Sequence, residues 1–330
     1  MNEFELIKTV THGAPAQKDG LVRGVGDDCA VISGNETKDF LITTDALFED
    51  VHFKREWISP RTLGRKALSV NISDIAAMGG KPLFYLVTIG IPKAFPLKEV
   101  EEIFEGMANS AFVHRTALIG GDTCSSANGL LISITVIGDI DKGKSIYRSG
   151  AKIGDSVYVT GILGHAALGL ACLEKGIRSL EVREFIRKHD DPTPRVAIGQ
   201  WLMSSTCVSS MIDISDGLVS DLNHIAEASN VEIKIFANQI PKVEEFAKAA
   251  NRCSKDALTL ALTGGEDYEL AFTVSSYKKD LFEKMMKVVA PTFGHAVTKI
   301  GEVTAGNGVK IIDMHGANMH LTKGGYEHKF

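Results

Sequence analysis

No stretch of this chain approaches the roughly 18 consecutive apolar residues that a membrane span requires. Its opening, "MNEFELIKTV", is acidic and lacks a basic region followed by an apolar one, so neither membrane insertion nor secretion is expected. Basic residues are not in excess. Lys and Arg number 36 against 41 Asp and Glu, and the net charge of −5 argues against nucleic acid as a partner. Cysteine pairing is missing too: the five cysteines (29, 124, 172, 207, 253) are odd in number and scattered, with no CxxC. That usage reads as free thiols in a reducing cytoplasm, where the sequons "NET" and "NIS" carry no meaning. There is no fixed-period repeat and no low-complexity tract. Finally, no Ser/His/Asp or Cys/His arrangement offers a nucleophile, and no catalytic general base stands out.

What is present is ordinary globular material: 330 residues, 44% hydrophobic and 23% charged, enough for two domains or one large one. Strand-length apolar runs (39–44, 83–91, 130–140, 155–161, 210–214, 258–263, 269–274, 308–313) alternate with helical patterns (60–79, 96–115, 163–175, 194–205, 216–229, 241–253, 277–289). Hairpin-like and crossover spacings both occur, which predicts an α/β or α+β fold with mixed sheets. The segment 139–154, "DIDKGKSIYRSGAKIG", is rich in Gly, Lys and Asp and is the best place for a domain boundary.

Two stretches imitate phosphate-binding loops. "GVGDDC" starts as GxGxxG, yet Cys29 replaces the third glycine and Asp27 and Asp28 would repel a bare phosphate. "GDIDKGKS" (138–145) satisfies GxxxxGK[ST], but Gly150 and Gly154 follow where a helix interior is needed, so a charged turn is expected.

The carboxylates are the more informative set. Asp28, Asp45, Asp122, Asp213, Asp216 and Glu266 all lie at strand ends beside small residues. Taken singly, each reads as a turn residue or cap, and Ser215 reads as the N-cap of the 216–229 helix. Asp74 is different: Leu63, Ala67, Val70 and Asp74 follow i, i+4, i+7, i+11, placing a carboxylate on an apolar helix stripe. Such a group needs an ion partner or a metal. Hard cations take carboxylate oxygens, and Mg²⁺ is held by a few of them plus substrate phosphates. Together the set points to a Mg²⁺-nucleotide site built without a P-loop.

"GVGDDCAVI", "LITTDALFEDVHF", "ALSVNISDIAAMGGKP", "LIGGDT", "YRSGAKIGD", "VTGILGHAALGL", "IDISDGLVSDLNHI" and "LTGGEDYELAFTV" follow one another here. In that order they resemble the thiamine-monophosphate kinase family, within the aminoimidazole ribonucleotide synthetase superfamily of ATP-dependent enzymes. The resemblance runs from about residue 3 to 328. It implies two domains: residues 1–147, binding ATP and Mg²⁺ and dimerising through their strands, and residues 148–330, an α/β domain completing the substrate site. It implies transfer of the ATP γ-phosphoryl to thiamine monophosphate with several Mg²⁺ ions, the last step of thiamine diphosphate biosynthesis, in a cytoplasmic homodimer. Matching positions imply metal roles for Asp28, Asp45, Asp74, Asp122, Asp213 and Asp216, helped by Thr43 and Thr44. They imply nucleotide contacts for Gly121, Asp122, Arg148 and Ser215, and substrate contacts for His52 and Glu266. The family often has an aromatic residue just before the final Gly-Tyr; Lys323 and Gly324 stand there instead, leaving Tyr326 to take that part. Asp27, Asp50 and Asp221 have no assigned role, Asp221 being i, i+3 from His224 as in a local surface pair.

The implied chemistry suits these residues. The attacking phosphate carries about −1.5 to −2 near neutrality, so it is already ionised and needs no base. What it needs is relief from repulsion, which carboxylates supply by holding cations. Other superfamily members fit less well. A selenophosphate synthetase wants an early reactive cysteine, a hydrogenase-maturation relative a C-terminal one, and an aminoimidazole ribonucleotide synthetase matches "GGEDYEL" and "NISDIAAMG" poorly. A non-catalytic Mg²⁺-nucleotide binder is the alternative from another class.

Overall fold

The computed structural model describes residues 3–12, 18–241, 243–321 and 325–326. Elements in the first half are α1 (Glu3–Thr11), β1 (Leu21–Arg23), β2 (Ala30–Ser33), β3 (Lys38–Phe48), α2 (Pro60–Ala77), β4 (Lys81–Pro92), α3 (Leu97–His114), β5 (Ala117–Ser126) and β6 (Leu131–Asp141). The second half holds β7 (Ser156–Thr160), α4 (His165–Glu174), α5 (Arg183–Asp190), α6 (Val196–Ser205), β8 (Val208–Asp213), α7 (Leu218–Ser229) and β9 (Glu232–Phe236). It ends with α8 (Glu244–Arg252), α9 (Ala257–Thr263), β10 (Leu270–Val274), α10 (Lys279–Phe293), β11 (Val297–Thr304), β12 (Gly308–Ile312) and β13 (Asn318–Met319).

The first sheet has the order β1-β2-β3-β6-β4-β5. β3 and β6 alternate buried and half-exposed residues along most of their length, the signature of a sheet packed on one face only. That face buries Leu41, Ile132, Ile134, Val136 and Val87 against α2 and α3. α2 and α3 themselves cross at very short range, because a Cβ on Gly64 would run into the Ile103 carbonyl and one on Gly106 into that of Arg61. The edge strand β5, which pairs with β4 in parallel, is exposed almost throughout.

The second sheet has the order β13-β12-β9-β11-β7-β10-β8. Its interior strands β7 and β10 are buried at every position, since helices cover both faces. One face packs on α4, α5, α7 and α8 and the other on α6 and α10, through Leu168, Phe185, Leu222 and Phe246 in one core and Leu202, Phe272 and Phe282 in the other. α2 joins the two halves. Arg65 forks onto Asp191, Nε to Oδ1 and Nη2 to Oδ2, both at 2.9 Å, and Ser73 Oγ donates to Asp213 Oδ2 at 2.6 Å.

The expected strand "LTLALT" (258–263) is instead the helix α9. A six-residue apolar run is compatible with either state, and Asp256 decides it by accepting from Thr259 N at 2.7 Å as an N-cap. Six strands lay outside the expected set: β5, whose "GGDTCSS" lacks alternation, and the short or polar β1, β2, β9, β11 and β13. The short helix α5 was also unforeseen. "GDIDKGKS" finishes β6 and turns, with Gly143 N donating to Asp39 Oδ2 at 2.9 Å and no helix following. Among the described residues no helix is long and apolar enough to cross a membrane.

Candidate active site

α2 organises the site. From one helix, Asn71 Oδ1 accepts from Asp45 N at 2.8 Å, Ser73 reaches Asp213, and Asp74 accepts from Thr43 Oγ1. The β3 strand thereby delivers Thr43 and Asp45 to one face, and the end of β8 delivers Asp213. Asp28 arrives from the turn before β2. One carboxylate oxygen from each of Asp28, Asp74 and Asp213 lies within 4.8 Å of the others.

Three negative charges at that separation repel by about 3–4 kcal/mol per pair at an effective dielectric of about 20. Burial and mutual repulsion accordingly push the acids up: Asp28 to about 6, Asp213 to about 7, and Asp74 well above its ordinary range. Asp45, which also repels Asp74, stays exposed at the mouth, and desolvation by its crowded neighbours raises it as well. Arg148 offsets part of this, its Nη2 donating to Asp28 Oδ1 at 2.7 Å. The other Asp28 oxygen, Oδ2, is buried with no hydrogen-bond partner. An orphaned carboxylate oxygen beside two more carboxylates is an all-oxygen donor set that fits a hard divalent cation.

The neighbouring aspartate has separate work. Asp27 Oδ1 accepts from Arg148 N at 3.0 Å and Oδ2 from Arg23 Nε at 3.1 Å. Arg23 goes on to Ser149 Oγ at 2.9 Å. Asp27 therefore ties the turn to the 147–149 segment and presents Asp28 and Arg148 together.

The other sequence-derived positions fall into distinct places. The strand alternation turns the Thr44 side chain to the opposite sheet face, where it donates to the Ile134 carbonyl at 3.1 Å. Asp122 shares that face, its row running through Thr88 and Ser133 to Ala46. Asp45, Ile134, Val87 and Gly121 form the adjacent row, so Gly121 lies three strand spacings from Asp45, about 14 Å. Asp122 is thus not brought into the Asp28–Asp74–Asp213 cluster. His52 follows β3 and accepts from Phe48 N at 3.0 Å through Nδ1.

Asp216 and Ser215 occupy the loop after β8, which pairs with the loop carrying Glu266: Glu266 N donates to Ser215 O at 2.7 Å. Ser215 is not the N-cap of α7. Gly217 holds that position, and Asp221 reaches back to accept from Gly217 N at 3.0 Å and Asp216 N at 3.2 Å. Asp221 is buried rather than at the surface as expected. Tyr326 N donates to Asp216 O at 2.9 Å, bringing the C-terminal segment onto this loop. Lys323 and Gly324 lie outside the described residues.

Glu266 has φ of 65°, a left-handed conformation that costs a non-glycine residue roughly 1–3 kcal/mol. Its side chain is 24% exposed and meets two partners that the sequence did not reveal. Lys66 Nζ lies 2.9 Å from Oε1 and His189 Nδ1 lies 2.7 Å from Oε2. Burial works against the carboxylate, but Lys66 and His189 outweigh it and hold Glu266 below the usual range. Lys66 had a signal, a charge inside the apolar "GRKALSVNIS" run; His189 had none, because α5 itself was missed. Behind this loop, Asp267 accepts from Gly164 N at 2.6 Å and Ala166 N at 3.2 Å, joining it to the start of α4.

Residues 26–140 match the family of AIR synthase related proteins through its N-terminal domain, and residues 152–314 match through its C-terminal domain. The thiamine-monophosphate kinase of Bacillus subtilis (strain 168) is 39% identical over 333 residues, 99% of each chain. The solved complex of AaThiL with AMPPCP and TMP has a TM-score of 0.85 at 32% identity, covering 99% of this chain and 97% of that one. Thiamine-monophosphate kinase from Stenotrophomonas maltophilia K279a has a TM-score of 0.76 at 32% identity, covering 93% and 94%.

Proposed function

The chain belongs to the thiamine-monophosphate kinase family of the AIR synthase related proteins, and from that premise we propose that it transfers the γ-phosphoryl of ATP to thiamine monophosphate, giving thiamine diphosphate and ADP. The observation that carries this reading is the convergence of Asp28, Asp74 and Asp213, from three distant parts of the chain, within 4.8 Å. Such a cluster has no use in packing; it suits a reaction between two phosphate anions.

Mg²⁺ would be held by Asp28, Asp74 and Asp213, with Asp45 at the mouth, and when bound it supplies charge neutralisation for the phosphates. The remaining work belongs to the chain. Thr43 and Ser73 orient Asp74 and Asp213 by hydrogen bonds. Arg148, its guanidinium kept charged beside Asp28, is placed to shift its fork from that carboxylate to a phosphate. Ser215 and Asp216 face the same loop as Glu266, so nucleotide and acceptor ends of the site are joined by one pair of loops. The thiamine end is assigned to His52, Glu266 and Tyr326. No group acts as general base, because the attacking phosphate oxygen is already ionised.

A coupled assay tests this. ATP, Mg²⁺ and thiamine monophosphate should yield ADP and thiamine diphosphate in equal amounts; formation of neither would refute the kinase and leave a non-catalytic Mg²⁺-nucleotide-binding protein.

The working unit is a homodimer joined through the strands of residues 1–147, with residues 148–330 completing each site. In support, β5 is an uncovered edge carrying exposed Leu118 and Ile119. Gly121 and Asp122 then approach the nucleotide and its several Mg²⁺ ions from the edge where the second copy joins. Sedimentation should give twice the 35.6 kDa chain mass, and a monomer at micromolar concentration would contradict it. A cytoplasmic location agrees with five cysteines that form no disulfide among the described residues.

A further inference from the structure

Lys66, Glu266 and His189 are assembled from three elements, α2, the loop before β10, and α5, and only Glu266 is partly open to solvent. Lys66 is 1% exposed and His189 5%, against 24% for the Glu266 side chain. A lysine buried that completely is retained only if its charge is matched, and Glu266 matches it. Each of the two buried side chains sits against a different oxygen, Lys66 Nζ at 2.9 Å from Oε1 and His189 Nδ1 at 2.7 Å from Oε2. Each carboxylate oxygen has a second lone pair, so the partly exposed Glu266 keeps acceptor capacity for a ligand. With Lys66 and Glu266 cancelling, the assembly attracts a neutral hydrogen-bond donor rather than a cation or a phosphate.

We infer that Lys66 and His189 are positioning residues that fix Glu266 as a rigid acceptor for an aromatic amine, the exocyclic amino group on the pyrimidine of thiamine monophosphate. This rests on the proposed kinase reading and deepens it. Helix geometry agrees with the dimensions of such a substrate. Lys66 and Asp74 are eight residues apart on α2, about 12 Å along its axis. That separates an acceptor end from a metal end by roughly the length of an extended thiamine phosphate. Neither Lys66 nor His189 need touch the substrate. Their effect passes through the carboxylate, which without them would be free to swing from its left-handed backbone position.

The test compares thiamine monophosphate with its 4-oxo analogue, in which the amino donor is replaced by a carbonyl acceptor facing Glu266. Wild-type enzyme should reject the analogue strongly, because two acceptors would be left opposed. In Lys66→Met and His189→Ala, KM for thiamine monophosphate should rise about tenfold and discrimination against the analogue should fall by a similar factor. KM for ATP should stay within about twofold of wild type in both. His189→Asn, whose amide nitrogen can stand near the position of Nδ1, should recover most of the discrimination. Equal rises in both KM values, or unchanged discrimination in the variants, would overturn the inference while leaving the kinase reading intact. A wild-type enzyme that does not phosphorylate thiamine monophosphate would overturn both. The His189 pair keeps the test decisive if Lys66→Met fails to fold.

Discussion

Asp74→Asn should lower turnover of thiamine monophosphate by about 10²–10³-fold and leave the metal-free fold at least as stable as the wild type. The two effects have opposite signs because the same charge does both. Asp74 sits among Asp28, Asp45 and Asp213, all of which repel it, and its proton affinity is raised well above the ordinary carboxylate range by burial first and those neighbours next. Removing the charge removes the repulsion. The amide keeps an oxygen where Thr43 Oγ1 donates, so the local hydrogen bond survives. Asparagine nevertheless contributes no charge to a hard cation, and the donor set falls from three carboxylates to two. Turnover measured at saturating ATP and thiamine monophosphate, beside the melting temperature in chelator, checks both halves. Near-normal turnover would remove Asp74 from the cation set, and a melting temperature that falls with activity would make its role structural.

The second large effect concerns pH and Mg²⁺ together. Asp213 titrates at about 7 and Asp28 at about 6, both raised by burial and by neighbouring carboxylates. A raised acid binds its proton more tightly in the folded chain than in the unfolded one. Its contribution is therefore present below about pH 4 and is lost as pH rises through 6 and 7. His165 and His224, lowered to about 4 mainly by burial, work the other way, gaining stability as pH rises towards 6.5. Above 6.5 the histidines are spent and the acids dominate, so in chelator the melting temperature should fall between pH 6.5 and 8. Asp267, also near 7 and remote from the cation donors, contributes to that slope. Mg²⁺ isolates the cluster, because it competes with protons there only. Saturating Mg²⁺ should raise the melting temperature by roughly 5 °C at pH 8 and by little at pH 5.5. An equal rise at both values, or none at either, would show that the cluster does not hold the ion.

Much of the site was legible because strand ends and helix stripes leave local marks. Asp74 stood out as a carboxylate among Leu63, Ala67 and Val70. In the folded chain α2 is buried nearly all round, so the stripe was real but narrower than the surface it covers. The strand-end position of Asp213 likewise followed from the apolar run that precedes it, whereas Asp45 lies inside β3, which continues to Phe48. Asp27 and Asp28 were recognisable as a pair of unequal partners, and Arg23 and Arg148 explain the inequality.

What stayed hidden were relations between distant segments. Nothing in "EFIRKHD" marks His189 as a partner of Glu266, since five of its seven residues are charged or polar and the run reads as solvated surface. "ALIGGDTCSS" did not read as a strand because an edge with both faces open has no apolar alternation to show. Ser215 looked like a helix cap because caps are chosen by local type, whereas Asp221 took over from inside the helix by reaching back.

By itself the sequence determined the mixed α/β class, most helices, the family and the identity of the acidic residues. These depend on periodicity, on turn chemistry and on the order of short motifs, all of which are local. Only the tertiary structure decided that Asp28, Asp74 and Asp213 meet while Thr44 and Asp122 face the other side of the sheet, and that Lys66 and His189 grip Glu266. Those facts depend on how α2 packs between two sheets, and burial there sets each charge's partner at a range no sequence window spans.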